Sequence, residues 1–246
     1  MARTVFLLWF PLLVGLVPAL AQPAHISTKW QRAHQLAQQL QQTPTFDLHA
    51  VSCYLDDLFT DPKTQVDFFA EFPEPQSALR QLIRALSYRA KLACDRGNWE
   101  QGERAFRLAI RVVRGVLQLK PPDGVPFGRQ SDDTGSYVAR GLQTHMTTTA
   151  SAAAFLINER LAQIASTDNR YGRLLQPALR RGREIAALQR RFADRVLPLL
   201  KKEDYQQINR IADQHLRDLR SQFDAWEQDI VQSMRRIQAL AHENPK

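Results

Sequence analysis

Two cysteines and a concentration of arginines are the residues of this chain that are best able to do chemistry. Cys53 and Cys94 are its two cysteines, and neither has a second cysteine at the spacing of a zinc ligand set. In an oxidising compartment such a pair closes into a disulfide, whereas buried free thiols are the alternative. We therefore predict a disulfide between Cys53 and Cys94 and no metal site.

Basic residues are concentrated between residues 170 and 202, where the only acids are Glu184 and Asp194. Arginines in this segment fall opposite an apolar stripe at about 100° per residue, so they should face solvent. One interpretation is an ordinary solvated helix face, partly neutralised by acids of the next helix. The other is a site for a polyanion, since arginine binds phosphate through two parallel hydrogen bonds. The predicted polyanion-binding residues are Arg173, Arg180, Arg181, Arg191 and Arg195.

The remaining polar residues carry no catalytic signature. The chain has no Gly-x-Ser-x-Gly motif and no phosphate-binding glycine loop, and its six histidines form no HExxH pair. His215 lies near an apolar stripe, so we expect a hydrogen-bonded core residue. Asp132 and Asp133 are typical of a turn more than of a cation site. We expect no cofactor, and Glu159 is the candidate acid if the chain is an enzyme.

The N-terminus has the features of a secretory signal peptide. Arg3 precedes an apolar run from Val5 to Leu20, and Ala-Leu-Ala ends at Ala21. This order predicts a signal peptide over residues 1–21, cut after Ala21, with an uncleaved anchor as the alternative. No later segment reaches the ~20 apolar residues of a spanning helix. We expect a soluble periplasmic or secreted protein without a transmembrane segment after cleavage.

Helical periodicity runs through the rest of the chain and predicts an all-α fold. The 246 residues are 44% hydrophobic, which is enough for a sizeable core, and carry a net charge of +8. The pattern predicts an irregular helical N-terminal region over 22–122, a polar loop over 123–135 and a C-terminal antiparallel bundle over 136–246. The helices of this bundle are predicted at 136–165, 171–197 and 205–240.

The most regular part of the N-terminal region is a helical hairpin over residues 85–119. A short turn joins its two helices, which must therefore pack antiparallel. Small and aromatic residues follow a regular spacing through its turn and second helix, namely Gly97, Trp99, Gly102, Phe106 and Ala109. They resemble the second half of a tetratricopeptide repeat, in which small and aromatic residues alternate so that two helices approach closely. Gly102 departs from that pattern, because alanine is usual there.

These observations favour an exported, non-enzymatic helical protein that acts as a protein–protein interaction or assembly module in the bacterial periplasm. The absence of an Asn-x-Ser/Thr acceptor favours a bacterial origin. One alternative is a polyanion binder that uses the arginine-rich face of helix 170–197 to hold lipopolysaccharide, a cell-wall polymer or nucleic acid. Nucleic acid is disfavoured because no aromatic residues alternate with these arginines. A helical cell-wall-active enzyme is the other alternative.

Overall fold

The structure of the chain is a computed structural model that describes residues 28–43, 45–71, 73–119, 134–200 and 205–243. Within these ranges it contains eight helices and no strand, which confirms the predicted all-α class. The predicted signal peptide lies outside the described residues, as does the predicted loop apart from its last two positions, which begin a helix. The helices are α1 (Thr28–Gln42), α2 (Leu48–Thr60), α3 (Pro62–Ala70), α4 (Glu74–Asp95), α5 (Trp99–Gln118), α6 (Thr134–Ala165), α7 (Asn169–Leu200) and α8 (Tyr205–Glu243).

Local capping explains where the shorter helices begin and end. The Asp47 carboxylate accepts a hydrogen bond from the backbone N–H of His49 and caps α2. Asp61 ends α2 and caps α3 in the same way through the N–H of Lys63. Asn98 caps α5 directly after the turn that follows α4.

The α4–α5 hairpin has the tight turn that its sequence predicts. Gly97 adopts a φ of 75°, in the left-handed region that favours glycine after a helix end. The N–H of Asn98 then bonds the carbonyl of Ala93 at 2.9 Å. At Gly102 the two helices come so close that an added Cβ would lie 2.4 Å from the Sγ of Cys94. The hairpin is therefore closely packed, and α8 packs against its second helix, α5.

The three long helices pack as predicted, and they share one hydrophobic core with the hairpin. Gln189 of α7 bonds the carbonyl of Thr147 on α6 and also His215 of α8. The two residues of each pair lie about equally far from the turn that joins their helices, so consecutive helices run antiparallel. Trp226 of α8 is fully buried, and its Nε1–H donates to the carbonyl of Ala178 on α7 at 2.7 Å. None of the described helices is both long and apolar enough to cross a membrane.

Candidate functional site

The structure does not support the disulfide predicted between Cys53 and Cys94, because both are free cysteines. Cys53 is exposed on α2, one residue after Ser52, which bonds Arg111 of α5. Cys94 is buried against Gly102 of α5 and lies 4.0 Å from the sulfur of a methionine in α8. Positions 102 and 111 are about 14 Å apart along a helix, whereas a disulfide needs Cα atoms within about 7 Å. Burial raises the pKa of the Cys94 thiol to about 12, so it stays protonated.

Cys53 instead lies beside a histidine that we did not anticipate from the sequence. Its Sγ is 3.5 Å from Nε2 of His49, one turn earlier on α2. The i, i+4 spacing of the two residues is the signal that could have revealed the pair. Two side chains do not complete a metal site, and in the described part of the chain no cluster of three or more His, Cys, Asp or Glu could hold an ion.

A cleft with a volume of about 600 Å³ lies between α2 and α5. We call it the α2–α5 groove. Three apolar residues, Leu55, Phe59 and Leu108, form its floor, and the rest of its lining is mostly polar. Gly115 allows this floor to form, because a Cβ there would lie 2.3 Å from the Phe59 ring. Four arginines of α5 border the groove, namely Arg104, Arg107, Arg111 and Arg114.

Acidic side chains hold three of these four arginines in place. Arg111 pairs with Asp56 of α2 and donates to Ser52 at 3.1 Å. Arg107 and Arg114 both bind the carboxylate of Glu227 on α8, at 3.1 and 2.8 Å. Arg104 is exposed and makes no ion pair with any described residue. Arg114 also pairs with Asp224 of α8 at 2.8 Å, and Arg107 lies 3.7 Å from Glu103 on its own helix. The three paired arginines are thus matched by nearby acids, and Arg104 is the cation of the lining that is left without one.

The sequence did not lead us to these residues, although it contained a signal for them. Arginines at 104, 107, 111 and 114 recur at three- and four-residue steps, so they lie along one face of α5. In a sequence, a stripe of this kind cannot be distinguished from an ordinary solvated helix face, because the sequence does not show whether another helix packs beside it. Only the packing of α2 against α5 turns the stripe into a groove.

The arginines predicted on α7 are distributed over its solvent side. Arg173, Arg180, Arg191 and Arg195 are exposed, as their spacing predicts. Arg181 differs, because it is half-buried and binds Asp229 of α8 at 2.8 Å. It therefore fits the interpretation of a charge neutralised by the following helix. Arg180 lies 3.5 Å from Glu184 on the same helix, a contact that solvent weakens.

Arg191 and Arg195 also border a smaller groove of about 250 Å³ between α7 and α8, which contains His215. This histidine is 4% exposed and stacks on Phe192 at 4.1 Å, with a hydrogen bond to Gln189. The expectation of a hydrogen-bonded core residue is confirmed. The pKa of His215 is lowered to about 4, mainly by burial; Asp218 opposes this shift and nearby Arg195 adds to it. His215 is neutral at pH 7.

Two other candidates from the sequence do not assemble into a site. Glu159 is half-exposed on α6, where its nearest charged partner is Arg160 at 4.0 Å. Asp132 and Asp133 lie outside the described residues. A further charged residue, Arg89, is 3% exposed in α4, and its Nε and Nη2 have no hydrogen-bond partner in the described structure. Burial lowers the pKa of Arg89.

Comparison of the chain with models of protein families, with curated proteins and with solved structures finds no match. The two arginine-bearing surfaces are therefore interpreted from their own chemistry.

Proposed function

We propose that this chain is an exported helical interaction module that binds an acidic segment of a partner protein in the α2–α5 groove. The observation that carries the proposal is the combination of four arginines with an apolar floor in one cleft. Arginine and aromatic residues dominate the binding energy of protein interfaces, and a floor that excludes water strengthens the ion pairs around it. The smaller groove between α7 and α8 also has apolar lining residues, but only two arginines, Arg191 and Arg195.

The acids in the groove explain how the arginines are prepared for a ligand. Asp56 and Glu227 hold Arg111, Arg107 and Arg114 in fixed orientations. Each guanidinium has five N–H donors and each carboxylate uses at most two of them, so a donor is left even on Arg107 and Arg114, which pair with two acids each. Donors therefore remain for a carboxylate of the partner, and Arg104 adds a cation that makes no ion pair with the described residues. An extended acidic chain with interspersed leucine or phenylalanine residues matches this lining.

The test selects peptides from a displayed library of random sequences on the purified protein. We expect enriched peptides to combine Asp or Glu with large apolar residues. The variant Arg104→Glu/Arg111→Glu should lose at least tenfold in affinity for them, since like charges then meet across the groove. The control Arg32→Glu/Arg84→Glu changes net charge equally at exposed positions of α1 and α4, and it should bind as the wild type does.

Enrichment of peptides without acidic residues, or equal losses in the two variants, would contradict the proposed partner. Export belongs to the same proposal and rests on residues 1–21 alone. Fractionation of a bacterium that expresses the whole chain, with mass spectrometry of the N-terminus, tests it. We expect an extracytoplasmic product that begins at Gln22, and a cytoplasmic product that retains Met1 would refute export.

A further inference from the structure

A second surface, on α7, carries a higher density of uncompensated charge than the α2–α5 groove. Six exposed arginines lie between positions 173 and 195, against the exposed acids Glu184 and Asp194. Five of the six make no ion pair with any other described residue, whereas Arg180 lies 3.5 Å from Glu184. Asp218 of α8 lines the groove beside Arg191 and Arg195 without pairing with either. The unpaired five are Arg173, Arg183, Arg190, Arg191 and Arg195. We call these six residues the α7 arginine surface.

The shape of this surface decides among the anionic ligands that could bind it. At about 100° and 1.5 Å per residue, the six arginines cover a sector of about 140° over about 33 Å of helix. A single extended polymer follows one row of side chains and leaves the rest of such a convex sector free. A flat layer of anionic groups contacts the whole sector, because long arginine side chains on both flanks bend towards it.

An apolar residue lies at the edge of the same surface. Leu197 is 44% exposed, one of the few large apolar side chains that the described structure leaves open to solvent. It follows Arg190 by seven residues, so the two lie within about 20° of each other around α7. Basic side chains beside an exposed leucine are typical of surfaces that rest on lipid headgroups. Every cation here is an arginine, which binds the phosphate of a headgroup through paired hydrogen bonds.

We propose that the α7 arginine surface docks the protein onto a membrane of anionic phospholipid. The bundle lies flat with α7 against the headgroups, and Leu197 enters the boundary between headgroups and acyl chains. The other faces of the bundle, including the α2–α5 groove, do not take part in this contact. The proposal is independent of the partner proposed for that groove.

The test is co-sedimentation of the protein with vesicles. The wild type should bind vesicles that contain phosphatidylglycerol, should not bind pure phosphatidylcholine, and should dissociate at high salt. The variant Arg183→Glu/Arg190→Glu/Arg191→Glu should bind at least about 100-fold more weakly, since each basic residue near such a surface contributes about fivefold. Leu197→Ser should weaken binding without changing its salt dependence.

A matched control is Arg32→Glu/Arg84→Glu/Arg236→Glu, which makes the same change in net charge at exposed positions of α1, α4 and α8. It should lose about tenfold or less. Equal losses in the two triple variants would reduce the effect to net charge and overturn the proposal. Failure of the wild type to bind anionic vesicles would also overturn it. Arginine-dependent binding to inorganic polyphosphate or duplex DNA without vesicle binding would assign the surface to a soluble polyanion instead.

Discussion

Replacing Gly102 with alanine should destabilise the protein, unless Cys94 is shortened at the same time. Alanine is favoured over glycine within a helix by about 1 kcal/mol, so an uncrowded site would gain stability. Here the new Cβ would lie 2.4 Å from Sγ of Cys94. Both residues are buried between α4, α5 and α8, and overpacking of this kind costs about 1–3 kcal/mol. The expected net effect of Gly102→Ala is a loss of up to about 2 kcal/mol.

The Cys94→Ala background removes the atom that causes the clash. The new Cβ still lies 3.2 Å from the carbonyl oxygen of Ala90, but this contact is present in both backgrounds and cancels. Gly102→Ala should then stabilise the protein by up to about 1 kcal/mol. The coupling energy between the two substitutions should be about 1–3 kcal/mol, as for residues in direct contact.

Urea unfolding of the four proteins, followed by far-ultraviolet circular dichroism, measures this coupling. The free-energy cost of the Cys94→Ala change itself cancels in the double-mutant cycle. A Gly102→Ala variant that is more stable than the wild type, or one with the same effect in both backgrounds, would refute the close approach of α4 and α5. It would also remove the physical reason for a glycine at position 102.

Three further predictions concern buried or reactive groups. His215→Gln should flatten the pH dependence of stability. In the wild type the pKa of His215 is about 4 in the folded state and 6.5 in the unfolded chain, so the unfolded chain takes up a proton first and stability is lost as the pH falls from 6.5 to 4. The free energy of unfolding from denaturant melts should change over this range by up to about 3 kcal/mol more in the wild type than in the variant. A thiol reagent should label Cys53 in the folded protein and Cys94 only on unfolding, and a reductant should leave the unfolding midpoint unchanged. Arg89→Met should leave stability unchanged or raise it by up to about 3 kcal/mol, because the guanidinium is buried without a hydrogen bond from Nε or Nη2. A loss of stability above about 1 kcal/mol in the same melts would contradict this prediction.

The helices and their ends were largely predictable, because the signals for them are local. Apolar spacing predicted an all-α chain with three long C-terminal helices, and a glycine at position 97 predicted the turn between α4 and α5. The exposure of Arg173 and Arg191 and the burial of His215 followed from the same helical geometry. Each of these features depends on residues within one or two turns of one another.

Contacts between helices decided everything else, since they depend on how each helix is rotated about its axis and on where it meets its neighbour. Cys53 and Cys94 were expected to pair, but Cys94 packs at Gly102 of α5, whereas Ser52, the neighbour of Cys53, bonds Arg111, about 14 Å further along that helix. Arg181 shared the predicted basic face, yet it turns towards Asp229 of α8. The α2–α5 groove exists because α2 packs beside a stripe of arginines that otherwise resembles any solvated face. Sequence alone thus determined the helices and their exposed sides, whereas tertiary packing decided which charges are neutralised and which line a cleft.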